Sequence, residues 1–337
     1  MCIIISCEFH VTNKNQIINN EMKVLFVCRG NKKFEISPII RAQADSLAAE
    51  GIAMNIFPLN GKGVFSYFNN AFLLRREIKK NKYDIVHAHF GLSGIIAAFV
   101  CSKNKLIVSL MGSEAYYSKS LKFINSLFAN YAWGVTIVKT QAMKAHFEKS
   151  KPFVVPNGVN LDVFFPMDKQ QARALLGLPE NKRIILFPSY PFRKEKNYDF
   201  AKAVSQALRD VELIHFDGVK PEMVNLMLNA ANVIILPSFF EGSPNVIKEA
   251  MACNRPIVAN KVGDVVETIG TTDGCYITHL TLEVFIEKTR LALDFSEKTE
   301  GTKGRERIIN QKLDAQSVAQ KLIGIYTTFL KNAALTN

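Results

Sequence analysis

Residues 241–249 read EGSPNVIKE, two glutamates eight positions apart around a short polar turn and the start of a helical pattern. A carboxylate repels phosphate but accepts hydrogen bonds from hydroxyls. Between the two, Ser243 suits a helix N-cap, and Pro244 suits the first helical position, where its missing N–H costs nothing. Val246, Ile247, Ala250 and Met251 recur at helical spacing. Asn254 can take a left-handed C-terminal conformation, and Pro256 prevents continuation. The free N–H groups of such a helix start, beside Gly242-Ser243, form a natural phosphate site. Phosphate flanked on both sides by hydroxyls describes a nucleotide sugar. The same spacing also fits a plainer reading, in which Glu241 offsets the helix dipole and Glu249 is surface charge.

The surrounding sequence must position this turn at a sheet edge. Strand patterns in the first half fall at 23–29, 54–59, 84–90, 106–112, 134–139 and 152–157. Those in the second half fall at 183–189, 211–218, 232–238, 255–263 and 275–278. Helical patterns fill the gaps, one of them opening with Ser37 as N-cap and Pro38 at the first helical position, with Gly51 beyond its end. Fully apolar strands alternating with helices imply a parallel sheet covered on both faces, and two such sets imply two doubly wound domains. A Gly-, Pro-, Asn- and Asp-bearing stretch at 157–171 marks the boundary. It separates an N-terminal unit, 22–160, from a C-terminal unit, 161–337, whose last helix spans about 315–333.

The 337 residues, 48% hydrophobic, suffice for two cores. The cysteines at 2, 7, 28, 101, 253 and 275 form no C-x-x-C pair, which argues against a disulfide framework or zinc site and for a reducing compartment. No apolar run approaches the roughly 20 residues needed to span a bilayer. MCIIISCEFH lacks the basic start and the length of a signal peptide, so a cytoplasmic protein is expected. Residues 1–21 fit poorly with MKVLFV, which opens at Met22, and read as an upstream translation start or a mobile arm. Residues 1–151 hold 20 basic and 9 acidic residues, a net +11, whereas residues 152–337 hold 22 and 21. Such a basic half suggests an anionic partner. No helix-turn-helix, RNP or zinc-finger pattern supports nucleic acid. VFSYFNNAFLLRREIKK (64–80) and YYSKSLKFINSLF (116–128) are basic and amphipathic, suited to an anionic membrane surface or, equally, to core helices with basic outer faces.

The segment PSFFEGSPNVIKEAMACNRPIVANKVGDVVETI (237–269) resembles the signature of retaining glycosyltransferases of family four, which have the GT-B fold. PNGVNLDVFFP (156–166) resembles the interdomain segment of that family, and a weaker resemblance runs from Met22 to the C-terminus. The resemblance implies two Rossmann-like domains facing a central cleft, with a C-terminal helix able to pack back on the N-terminal domain. It implies that Glu241 contacts the hydroxyls of the donor sugar and Glu249 those of the ribose. Gly242, Ser243, Pro244 and Asn245 would line the sugar and diphosphate, and Lys196 in KEKN would grip the diphosphate. The family arginine, six residues before that lysine, is replaced by Tyr190, and Arg193 is its substitute here. At the family's His-Gly, LMGSE places Met111, while Gly112 and Ser113 fit the donor side. The chain between 218 and 232 is short, leaving no room for a strand common in the family. No metal or cofactor is implied; Lys, Arg and a helix N-terminus stabilise the leaving diphosphate.

Other candidates lie in the first half. Gly30 follows the first strand in CRGNKKFEIS, with Lys32 and Lys33 nearby, and faces the acceptor side. His87 and His89 share one face of a strand end, fitting either structural hydrogen bonds or, for His89, the acceptor cleft. The expected activity is transfer of a sugar from a UDP- or GDP-linked donor to an acceptor hydroxyl with retention. The expected setting is a lipid-linked glycan of bacterial surface polysaccharide (capsule or lipopolysaccharide), at the inner face of the cytoplasmic membrane. Rival readings are a non-catalytic scaffold of the same fold and a nucleotide-sugar epimerase. No G-x-G-x-x-G follows Val27, which disfavours a dinucleotide oxidoreductase.

Overall fold

A computed structural model describes residues 22–30, 36–61, 63–112 and 119–335. The N-terminal extension 1–21, Lys32, Lys33 and Ser113 lie outside the described residues.

Two parallel sheets form from the two runs of apolar strands. The first contains β1 (Lys23–Arg29), β2 (Ala53–Leu59), β3 (Ile85–His89), β4 (Leu106–Ser109), β5 (Val135–Val138) and β6 (Phe153–Val154), in the order β2-β1-β3-β4-β5-β6. The second contains β7 (Arg183–Phe187), β8 (Val211–His215), β9 (Val233–Leu236), β10 (Ile257–Asn260) and β11 (Cys275–Thr278), in the order β11-β10-β9-β7-β8. In each sheet the first strand lies between the second and the third, so the strand order reverses there. In open α/β sheets ligands bind outside the carboxyl ends at that reversal. These ends carry Gly30 and His89 in the first sheet, and the Tyr190–Lys196 and Pro237–Ser243 loops in the second. Between β8 and β9 lies only a helix, so β8 is the sheet edge, as the short segment at 218–232 requires.

In chain order the helices are α1 (Pro38–Ala49), α2 (Val64–Asn81), α3 (Gly91–Ala98), α4 (Lys119–Tyr131), α5 (Gln141–His146), α6 (Lys169–Leu176), α7 (Tyr198–Gln206), α8 (Pro221–Ala230), α9 (Asn245–Ala252), α10 (Val265–Ile269), α11 (Leu282–Lys298), α12 (Gly304–Asn310) and α13 (Ala315–Leu335). Apolar residues of α2, α3 and α4 cover one face of the first sheet. On its other face α1 packs with Val318, Ala319, Leu322, Ile325 and Tyr326 of α13, so the end of the chain completes the core of its beginning. The second sheet is covered by α8, α9, α10 and α12 on one face and by α7 and α11 on the other.

The chain leaves the first sheet after β6 and returns to it at Asp314. The two passages lie side by side: the Val159 amide donates to Leu313 O (3.0 Å), and the Ala315 amide donates to Val159 O (2.8 Å). Gly158 permits this, because a Cβ there would fall 2.7 Å from Ala315 Cα.

Tyr326 also reaches into the first sheet. Its hydroxyl lies 2.6 Å from His87 Nδ1, and His87 Nε2 lies 2.8 Å from Ser109 Oγ. Tyr326→Phe leaves one buried ring nitrogen without its partner and should cost about 1–3 kcal/mol of stability, read as a lower urea midpoint.

Candidate active site

The donor turn is built at the carboxyl end of β9. Asn260 Nδ2 donates to Ser238 O (2.8 Å), and Asn197 Nδ2 donates to Pro237 O (3.2 Å). The Phe239 amide donates to Glu195 O (3.0 Å), which joins this turn to the 3₁₀ turn Lys194–Lys196 after β7. Across that junction Lys196 Nζ meets Glu241 Oε1 at 2.5 Å, and Ser238 Oγ donates to the same oxygen at 2.8 Å. Both side chains are 12% exposed, so the pair is shielded from water and screened less than a surface ion pair. Two residues 45 positions apart are thus brought to one point.

The helix after the turn starts one residue later than its sequence suggests. Pro244 occupies the N-cap position with no side-chain cap bond, and α9 begins at Asn245. Ser243 does not cap because its hydroxyl is engaged elsewhere: Oγ donates to Asp264 Oδ2 (2.6 Å) and accepts from Lys248 Nζ (2.7 Å). Asn254 does take the left-handed conformation, with φ 55°. Asn245 Oδ1 accepts from Asn157 Nδ2 (3.3 Å), which ties the helix start to the interdomain segment.

Glu249, in the second turn of α9, is half-buried and faces a cleft of about 840 Å³ lined also by Pro38, Asn160, Asn245 and Arg305. Burial pushes its carboxyl up to about 7, although the Lys248 charge pulls the other way. Glu249 is thus not a fully solvated surface carboxylate.

Gly112 and Gly242 bring the two sheets together. Gly112 has φ 127°, and a Cβ on it would lie 3.1 Å from Gly242 Cα; a Cβ on Gly242 would lie 3.2 Å from Met111 O. Gly263, at φ 56°, backs onto the same turn, and the Asp264 amide donates to Gly242 O (3.2 Å). Backbone faces backbone here, with no side chain between.

The remaining candidates divide. Arg193 stands on the lysine's turn but is exposed, and its guanidinium pairs with Glu195, Nε donating to Oε1 at 2.7 Å. Tyr190 packs at a tilt against Phe192, with ring centroids 5.2 Å apart. Gly30 donates its amide to Leu59 O (2.9 Å), so that N–H is occupied within the fold. His89 is fully buried between Phe26 and His87, with centroids 4.4 and 4.5 Å away, and neither ring nitrogen has a hydrogen-bond partner among the described residues. Burial, then the neighbouring His87 and Lys139, hold His89 well below the usual histidine range. No group of three or more His, Cys, Asp or Glu among the described residues is placed to hold a metal ion.

Four contributors escape a sequence reading: Ser238, Lys248, Asn260 and Asp264. A signal for Lys248 lies in its helix spacing, directly after Ile247 and two before Ala250, both on the buried face.

Two doubly wound sheets with facing carboxyl edges give the chain the GT-B fold. The chain belongs to the family 4/group 1 glycosyltransferases. Residues 23–163 match the family described as Glycosyltransferase Family 4, and residues 190–294 match Glycosyl transferases group 1. It is 25% identical over 280 residues to the putative teichuronic acid biosynthesis glycosyltransferase TuaC of Bacillus subtilis, covering 74% of this chain and 72% of that one. Sucrose-phosphate synthase from Thermosynechococcus elongatus superposes with a TM-score of 0.76 at 16% identity, covering 92% of this chain and 100% of that one. Anabaena HepE in complex with UDP superposes with a TM-score of 0.68 at 15% identity, covering 91% and 100%.

Gly263→Ala should lower stability by about 1–3 kcal/mol, because a Cβ at that φ is strained and meets the Gly242 carbonyl; thermal unfolding measures it.

Proposed function

We propose that this enzyme moves a sugar from a UDP- or GDP-linked donor to an acceptor hydroxyl with retention at the anomeric carbon. The observation that carries the reading is the Lys196–Glu241 pair, set at the start of α9 and opposite Gly112. Lys196 would hold the diphosphate, and Arg193 would add charge by swinging from Glu195. The first amides of α9 and of the Gly242–Ser243 turn would line the sugar and the phosphates. Glu241, oriented by Lys196 and Ser238, would accept hydrogen bonds from sugar hydroxyls, and Glu249 from the ribose. As the bond to the sugar breaks, negative charge grows on the diphosphate, and preorganised cations and amides stabilise it. The acceptor hydroxyl attacks from the same face and gives its proton to the departing phosphate oxygen. The chain's own cations suffice for this, so chelation with EDTA should leave transfer unchanged. The HepE complex with UDP supports the donor class, and the teichuronic acid biosynthesis in TuaC's name supports a role in polysaccharide synthesis; the acceptor would be a lipid-linked glycan.

The basic N-terminal unit would hold the acceptor at the inner face of the cytoplasmic membrane. The outward faces of α2, α3 and α4 form one layer carrying Phe65 (91% exposed), Phe68, Phe72, Phe99 and Phe123. Arg75, Arg76, Lys79 and Lys80 rim it. An exposed aromatic face with a basic helix end beside it suits an anionic lipid surface. No described helix is long and apolar enough to cross a membrane.

Three measurements check the proposal. UDP or GDP should raise the melting temperature, a hundredfold excess over Kd corresponding to about 2.7 kcal/mol. Glu249→Ala should weaken nucleotide binding, whereas Glu241→Ala should reduce transfer more than binding; full activity in both would overturn the site, and no nucleotide shift in wild type would favour the scaffold reading.

The second is pH dependence. An ionised Glu249 would accept both ribose hydroxyls more strongly than a protonated one, so affinity for the nucleotide sugar should rise as pH passes upward through about 7 and then level off. Glu249→Gln should flatten that profile. A nucleotide sugar is the right probe, since its diphosphate diester does not titrate in this window. In the free protein the sign is opposite: a raised carboxyl favours folding at low pH, and that contribution is lost as pH rises through about 7.

The third is sedimentation with anionic vesicles, reversed by salt and reduced by Phe65→Ser/Phe68→Ser. Equal binding to neutral vesicles at high salt would count against the membrane face.

A further inference from the structure

Lys248 is 1% exposed although it carries an ammonium group. Helical side chains lean toward the N-terminus of their helix, and this one runs back along α9 until Nζ donates to Ser243 Oγ, five residues earlier, at 2.7 Å. Ser243 Oγ in turn donates to Asp264 Oδ2 at 2.6 Å, and the Asp264 amide donates to Gly242 O. The ammonium therefore sits at the positive end of α9. A cation there is unfavourable twice, once for its burial and once for the helix dipole it opposes. Burial holds Lys248 below the usual lysine range, against the pull of Asp264 and then Glu249. An apolar side chain would fill the same place without either cost. A buried positive charge behind a turn that already attracts anions is useful when a strongly anionic group arrives.

We propose that Lys248 is a positioning residue that charges the donor turn through Ser243 to favour the diphosphate of the donor, with Asp264 as the counter-ion that holds the ammonium and limits its field while the site is empty. The inference rests on the start of α9 being the diphosphate site. It goes beyond that reading by assigning a sign to each partner. Lys248 works for diphosphate binding and Asp264 works against it, although both belong to one hydrogen-bonded chain.

Calorimetric titration of UDP, GDP, uridine and guanosine into wild type, Lys248→Met, Lys248→Gln, Asp264→Asn and Lys248→Met/Asp264→Asn separates charge from bracing. The expected result is a roughly tenfold loss of diphosphate affinity in Lys248→Met, with the nucleoside little changed. Lys248→Gln, which keeps a donor for Ser243 but not the charge, should lose as much and serves if Lys248→Met fails to fold. Asp264→Asn should bind the diphosphate about threefold tighter or more, and the double variant should lie within about threefold of wild type. A purely structural relay predicts otherwise: both single variants weaken binding alike, Lys248→Gln restores it, and the double variant is no better than the singles. Any of those results overturns the proposal, as does an unchanged Lys248→Met. Wild type that binds neither UDP nor GDP overturns the donor-site reading itself, a different outcome from wild-type binding with the wrong pattern among the variants.

Discussion

Two sheets can share one small ligand only if their carboxyl edges approach with nothing thick between them. Here the approach is made by backbone alone. Gly112 from the first sheet and Gly242 from the second would each bring a Cβ to about 3.1 Å from the other's Cα, and Gly263 closes the back of the same turn. A side chain at any of the three would have to be absorbed by moving a loop. The site depends on this contact because the turn that holds Gly242 also holds Glu241 and leads into α9. A displacement there would shift the amides and the carboxylate together.

The electrostatics follow from the same turn. A helix start attracts anions, and the protein adds two lysines to it in different ways. Lys196 arrives from the neighbouring strand's loop and locks Glu241 into one orientation, its ammonium and the Ser238 hydroxyl sharing one carboxylate oxygen. Lys248 arrives from within the helix and is balanced by Asp264 through Ser243. Glu241 is held by a lysine directly and Asp264 through the Ser243 hydroxyl, while Glu249 is half-buried and its carboxyl is pushed up by burial. In the proposed function that arrangement would set cations beside the diphosphate and leave carboxylates for hydroxyls.

The doubled passage between the sheets explains how the edges stay in register. The interdomain segment and the return at Asp314 are hydrogen-bonded to each other around Val159, and α13 then seals the first sheet's core. Separating the sheets would strain both passages at once, whereas a small rotation about them would not. Closure over a donor and exclusion of water, which would otherwise hydrolyse it, fit such a pair of passages.

The amino-acid sequence by itself determined the two sets of parallel strands, the helix after the Gly242–Ser243 turn and its left-handed exit at Asn254, and it singled out Glu241 and Glu249 as candidates on either side of that helix start. These are legible because they rest on local chemistry: apolar runs, Gly and Pro at fixed places, and a motif of nine residues. Even there a long-range contact intervened, since Ser243 leaves its expected capping role for Asp264. The tertiary structure alone decided that Lys196 and Glu241 share one hydrogen bond, that Arg193 turns to Glu195, that the Gly30 amide is occupied, and that Lys248 is interior. Lys196 meets Glu241 across 45 positions because β7 pairs with β9, the Gly30 amide meets Leu59 because β1 pairs with β2, and Lys248 is interior because α9 packs its face toward Asp264. Propensity and spacing carry no information about such meetings, because they describe neighbours along the chain and not across it.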